Sequence, residues 1–267
     1  MIKQRRILLL ASLMCLLTAG SSFGDGVGGA GENLLPHVFT QNLGERLMLA
    51  QASAAAEERE GDAAPQEGGL DDPLEPMNRA FFEFNDRLYF WVLKPVARGY
   101  SVVLPEPARV GISNFFTNLT FPVRFVNCLL QAKIEGACNE FGGFLVNSIA
   151  GMGGFFDVAK EMGFKKYDED LDQSLAKFGF GPGFYVNLPL LGPSTLRGTF
   201  SSVGDGFLDP IWYLDSSGAR WAAESVNVVN RTSLSIGDYE SLKKAALDPY
   251  VALRDAYYQN RLKKIKE

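Results

Sequence analysis

From Phe141 to Phe156 the chain carries no charged side chain, and Glu140 and Asp157 bound the stretch. Five glycines break it: Gly142, Gly143, Gly151, Gly153 and Gly154. A helix needs roughly 20 mostly apolar residues to cross a bilayer, so this segment is too short and too interrupted to span. It is also too apolar to stand in water. It has to fold into a core or lie along a membrane, and the rest of the sequence has to decide which.

The beginning of the chain gives an address. Lys3, Arg5 and Arg6 precede an apolar run from Ile7 to Leu17, and small residues follow from Ala19 to Gly24. This is the order of a secretory signal peptide, assigned to residues 1–24 with cleavage after Gly24. Cys15 lies inside the apolar run, preceded by Met14 and followed by Leu16, without the small residue that precedes an acylated cysteine. It reads as a packing residue of the signal rather than a lipidation site. Residues 25–70 are rich in Gly, Ala, Glu and Gln and read as a flexible tether, with the pattern of a short amphipathic helix over Leu43–Ala56. Residues 71–267 form the folded domain.

The body opens with Asp72-Pro73-Leu74-Glu75, in which Asp72 is placed to cap a helix and Glu75 to complete a capping box. Leu74, Met77, Phe81, Phe84, Leu88 and Trp91 recur at steps of three and four and define one helical face. Phe82, Tyr89, Phe90 and Val92 make the remaining surface largely apolar. Two readings stand: a central helix of a soluble bundle, or a helix packed on its siblings inside and on lipid outside. Pro95, Pro105, Pro107 and Pro122 cut the next section into helices at about 96–103, 107–119 and 121–131. A further helix over 135–150 ends at Gly151-Met152-Gly153-Gly154, leaving Phe155 and Phe156 at a tip. Residues 178–193 are too dense in Gly and Pro for a helix. They read as an extended loop with a short strand at Phe184–Leu188. Helices near 194–204, 218–231 and 238–246 precede a last one opening at Asp248-Pro249. That helix ends in Arg261, Lys263, Lys264 and Lys266, which suit its dipole or meet anionic lipid or an acidic partner. The fold class is mostly α.

Reactive chemistry is scarce. The single histidine, His37, lies before the body, which therefore has no imidazole for a general base or a metal. Asp168, Asp170 and Asp172 alternate like a calcium loop, but Gln173 and Gly179 stand where such a loop needs a turn glycine and a bidentate carboxylate. They read as a solvated helix start. No Gly-x-Ser-x-Gly elbow is present, and the glycine clusters follow no βαβ strand. Cys128 and Cys138 are ten residues apart and either pair across a turn or stay reduced. The net charge is −5, which gives no footprint for nucleic acid. Abundant amphipathic surface with little chemistry favours handling an apolar molecule. A phospholipid needs a wall of both characters, which short helices lying in the bilayer plane supply.

Several motifs then become recognisable in order: Asp72-Pro73-Leu74-Glu75 with Asn78-Arg79; Pro107-Ala108-Arg109 with Ser113-Asn114-Phe115; Gly151-Met152-Gly153-Gly154-Phe155 with Asp157; Gly181-Pro182-Gly183 leading to Leu188-Pro189; Ser194-Thr195-Leu196-Arg197; and Asp248-Pro249-Tyr250 with Arg254. In these the chain resembles the MlaA (VacJ) family of outer-membrane phospholipid-transport lipoproteins over about 70–260. The resemblance implies a ring-like bundle of short amphipathic helices around a channel, on the periplasmic side of the outer membrane. It implies a non-enzymatic protein without cofactor or metal, working with phospholipid, a trimeric porin and a periplasmic lipid-carrier protein. Family members usually carry a lipobox cysteine, and this chain has no convincing one. The expected lipid path is Phe84, Asn85 and Leu88. The expected gate is Gly151, Gly153, Gly154, Phe155 and Phe156. The alternatives are a soluble periplasmic helical scaffold and a carboxylate-based lipid hydrolase.

Overall fold

The computed structural model describes residues 70–267. The signal peptide, Cys15, His37, the Leu43–Ala56 pattern and the tether up to residue 69 lie outside the described residues. Leu70, assigned to the tether, is buried against the body.

The body is mostly α. Helix α1 (Glu75–Leu88) continues through a π-helical turn (Tyr89–Leu93) into α2 (Lys94–Val103). The break expected at Pro95 is therefore absent. A proline in a regular helix clashes with the carbonyl one turn back. Here the wider turn just before it, in which the Lys94 N–H reaches the Tyr89 carbonyl, makes room. Leu104, restricted by Pro105, is extended and ends α2. Helices α3 (Glu106–Leu119), α4 (Phe121–Leu130) and α5 (Ile134–Ile149) follow, then short helices α6 (Val158–Glu161) and α7 (Leu171–Lys177).

The Gly/Pro-rich loop holds more order than one strand. β1 (Tyr185–Leu188) and β2 (Gly192–Thr195) form an antiparallel hairpin, with Tyr185 opposite Thr195 and Leu188 opposite Gly192. Gly192-Pro193 signals a breaker, which hid the second strand. In a two-stranded sheet every strand is an edge, where proline is tolerated. Helix α8 (Leu196–Gly206) starts directly at the hairpin, capped by the Thr195 hydroxyl on the Gly198 N–H at 3.0 Å. A 3-10 turn (Pro210–Tyr213), α9 (Ser217–Leu234), α10 (Asp238–Ala245) and α11 (Pro249–Lys266) complete the chain.

Packing runs from neighbour to neighbour and returns to its start. α1 packs on β1, the hairpin on α11, α11 on α7, α7 on α4, α4 on α3, α3 on α9 and α9 on α2, which leads back through the π turn. One apolar cluster lies where α1, the hairpin, α10 and α11 meet: Leu70, Phe82, Tyr185, Leu242, Tyr250, Leu253 and Tyr257. Elsewhere buried polar side chains and exposed apolar ones stand beside the smaller apolar contacts. Asn78, Asn85, Asp86, Asn127 and Glu140 are buried, whereas Trp91 is 77% exposed, Val102 87%, Val103 80% and Ile149 82%.

Helix α1 shows the mixture directly, with Phe82 buried in the cluster. Met77, Phe84 and Trp91, from its apolar stripe, are exposed, and Asn78, Asn85 and Asp86 face inward. Burying one large apolar side chain is worth about 1.5–3 kcal/mol, so a surface that leaves many of them in water lacks its cover. This helix therefore packs on its siblings through a mixed face and leaves large apolar side chains on its outer one. No helix among the described residues is long and apolar enough to cross a membrane.

Candidate functional site

The motifs spread along the sequence converge in two places. The first is a knot joining the start of α1, the hairpin and the start of α11. Asp72 does not cap α1, whose N-cap is Leu74 without a side-chain bond. Its carboxylate instead accepts from the Asn78 amide at 2.7 Å and from the Tyr250 hydroxyl. Burial and this bond hold the Tyr250 hydroxyl well above the usual tyrosine range. Asn78 donates to the Tyr185 carbonyl and accepts from the Asn187 N–H at 2.8 Å. Arg79 bridges Glu75 and Asp248, at 2.7 and 2.9 Å, and lies over the Tyr250 ring. Asp248 caps α11 as expected, accepting from the Tyr250 N–H at 3.0 Å.

A second buried network continues from the knot. Arg261 binds Asp170 at 2.7 Å and also Asp172, and Arg197 reaches Asp172 at 2.7 Å. Asp172 is buried, which overturns the reading of a solvated helix start at that position, while Asp168 stays exposed. Asp170 does cap α7. A pattern of alternating acids shows where carboxylates stand, but not that two arginines from distant helices arrive to neutralise them. Arg261 thus ties α11 to α7, and Lys264 reaches Asp168 at 3.2 Å. At these two positions the basic cluster of α11 serves its own fold. Burial and the Asp170 charge push the Asp205 carboxyl up to about 8, against N–H donors from Leu171 and Asn127. Cys128 is buried, Cys138 exposed, and both are free.

The second place is a latch. After α5, Met152, Gly153 and Gly154 have φ of 54°, 75° and 96°, a left-handed run that suits glycine. The turn seats on α3. The Asn118 amide donates to the Ser148 hydroxyl at 3.0 Å and the Gly153 carbonyl at 3.3 Å, and the Asn114 amide reaches the Phe155 carbonyl at 3.4 Å. The Phe155 ring covers Gly111, where a Cβ would come within 2.3 Å of it. A Cβ on Gly154 would lie 2.3 Å from Asn118. Phe156 is exposed.

The residues expected to form a lipid path do not share a face. Asn85 is buried and clasps the hairpin tip, donating to the Leu188 carbonyl at 2.9 Å and accepting from the Leu190 N–H at 2.7 Å. Phe84 is exposed and Leu88 half-buried. The five gate residues do lie together, in the latch. A cavity lies on each side of it. One, of about 630 Å³, opens between α3, α5 and the segment 157–166, with Phe144 and Phe164 among its apolar lining and Lys160, Lys165 and Lys166 among its polar lining. The other, of about 610 Å³, lies between α3 and residues 155–161. Sequence reasoning passed over the three lysines. Their signal was three basic residues within seven positions, close behind a long neutral stretch.

The family model of the MlaA lipoprotein matches residues 70–264. The intermembrane phospholipid transport system lipoprotein MlaA of Escherichia coli K12 is 34% identical over 223 residues, covering 81% of this chain and 84% of that protein. Its Haemophilus influenzae counterpart is 32% identical over 205 residues, covering 73% and 80%. A solved structure from work on the structural basis for maintenance of bacterial outer membrane lipid asymmetry aligns with a TM-score of 0.62 at 33% identity, covering 73% of this chain and 99% of that one.

Proposed function

The chain belongs to the MlaA lipoprotein family, and on that premise we propose that it removes mislocalised phospholipid from the outer leaflet of the outer membrane and passes it to a periplasmic carrier. The reading is a ring of helices around an amphipathic channel, on the periplasmic side of the membrane beside a trimeric porin. No bond is made or broken. The relatives are components of a transport system, and the family resemblance supplies the porin and the carrier.

One observation carries this reading: many polar side chains are buried while many large apolar ones face outward. In water that arrangement forfeits hydrophobic stabilisation. In a leaflet, lipid tails cover Trp91, Val102, Val103 and Ile149, and the polar interior offers a headgroup a way through hydrocarbon. With no spanning helix among the described residues, the body lies in one leaflet as an assembly of amphipathic helices. With or without an acyl chain on Cys15, the amphipathic body and a porin would contribute to holding the protein in place. The latch acts as the gate, because it is a strained turn held by amides and flanked by cavities.

The test replaces Gly153 and Gly154 with Ala and measures phospholipid in the outer leaflet of cells expressing the variant. Accumulation is the expected result; unchanged lipid asymmetry removes the gate. Washing membranes in high salt tests the wider reading, since a soluble scaffold would leave the membrane fraction.

A further inference from the structure

We propose that the cavity between α3, α5 and the 157–166 segment receives the phosphodiester of a phospholipid in transit and favours headgroups without an ammonium group, such as phosphoglycerol. The inference rests on the reading of the chain as a phospholipid conduit and adds a headgroup preference to it.

The cavity is two-faced. Gly143, Phe144, Ala159 and Phe164 supply apolar wall, and Lys160, Lys165 and Lys166 supply positive charge. Among the described residues neither Lys160 nor Lys165 is within ion-pair distance of a carboxylate, and Lys166 stands 3.6 Å from Asp168. Lys166 is exposed at the cavity's edge, and Arg124 adds a further positive charge to the lining. Phosphate oxygens accept charge-assisted hydrogen bonds from ammonium groups, and the amides of Asn114, Asn118, Asn139 and Asn147 stand around the same space.

Of the carboxylates lining the cavity, Glu140 is engaged on both oxygens and Asp157 on Oδ1 alone. Glu140 takes the Arg124 guanidinium on one oxygen at 2.7 Å and the Tyr167 N–H on the other at 2.6 Å. Asp157 takes the Asn147 amide at 3.0 Å and the Lys160 N–H at 3.3 Å. Among the described residues, a phosphate finds Lys160 and Lys165 without ion-pair partners, whereas an ethanolamine ammonium meets three lysines of its own charge and a single open carboxylate oxygen, Oδ2 of Asp157. The volume of about 630 Å³ falls among sites that enclose small ligands, roughly 300–1,000 Å³. That suits a headgroup with the first part of its chains. Asn118 belongs both to the cavity wall and to the latch, so the pocket adjoins the gate.

The experiment purifies the full chain from outer membranes in mild detergent and compares bound phosphatidylglycerol and phosphatidylethanolamine with their ratio in the source membrane. Enrichment of phosphatidylglycerol by about 5-fold is expected, a size consistent with a few screened charge contacts. The variant Lys160→Gln/Lys165→Gln/Lys166→Gln should bring the ratio back to that of the membrane while keeping its helical circular dichroism. The single variant Lys165→Glu, at an exposed position, should move it in the same direction. Equal ratios in wild type and variant, with lipid bound in both, overturn the pocket and leave the conduit standing. Absence of bound lipid from the wild type overturns both. Displacement of phosphatidylglycerol by excess inorganic phosphate alone would make this a free-anion site and overturn the headgroup assignment.

Discussion

The knot and the latch are built from the same kinds of residues, with asparagine amides, aromatic rings and tight turns in both, yet they hold in opposite ways. In the knot the rings of Tyr185, Tyr250 and Tyr257 are buried, and Asn78 bonds two residues of β1 more than a hundred positions from it. In the latch Phe156 is exposed, Phe155 rests on the bare backbone of Gly111, and the amide bonds run to 3.3–3.4 Å. Local opening is easiest where few buried contacts have to be given up. The contrast sets a region tied across distant parts of the chain against one held by few buried contacts, the region proposed as the gate.

The largest effect expected from breaking this comparison is at Tyr250. Its ring is 2% exposed and its hydroxyl bonds Asp72, so Tyr250→Ala should destabilise the body by about 3–5 kcal/mol, read as a fall in detergent-solubilised thermal unfolding. Gly154→Ala comes next, at about 2 kcal/mol, since it adds a clash with Asn118 to a left-handed backbone. Gly153→Ala, with φ of 75° and open space around its Cβ, should cost only about 1 kcal/mol. If the two glycine variants unfold alike, the seat on Asn118 contributes nothing.

A pH series sharpens the same contrast from the buried side. Asp205 holds its proton up to about 8 in the folded chain, against about 3.9 in an unfolded one. Between these values the folded state binds the extra proton, so stability is whole below about pH 4 and is lost as pH rises towards and through about 8. The unfolding temperature should therefore fall from pH 5 to pH 8, and Asp205→Asn should flatten that slope. The smallest change in stability belongs to the outer surface. Phe156→Ser and Trp91→Ser should shift unfolding in detergent by less than about 0.5 kcal/mol, yet leave more protein in the high-salt wash of membranes. Loss of stability without loss of retention would contradict an outer face made for lipid.

Helices were legible because prolines, caps and spacing are local signals, and Asp248 caps α11 as its sequence foretold. Direction was less legible. The stripe from Met77 to Trp91 stands out in the sequence, but periodicity gives a face without saying which medium it meets. Asp72 misled because a helix-start motif and a cross-chain tether look alike until Tyr250 and Arg254 are seen beside it. The second strand was concealed by Gly192-Pro193. In the candidate site the left-handed turn of the latch was legible as glycines in series. The cavity lysines and the clasping role of Asn85 were not, because both depend on what lies across the fold.

The turn from Tyr89 to Leu93 sets a rule about length. Each residue advances an α-helix by about 100°, so the surplus residue in a π turn swings everything after it by that angle. Deleting a single amino acid here, for instance Val92, would leave every later side chain chemically intact and aim Val102 and Val103 somewhere else. For this rod, tolerance to substitution and tolerance to deletion come apart: its oily edge survives many replacements in kind and not the loss of one link.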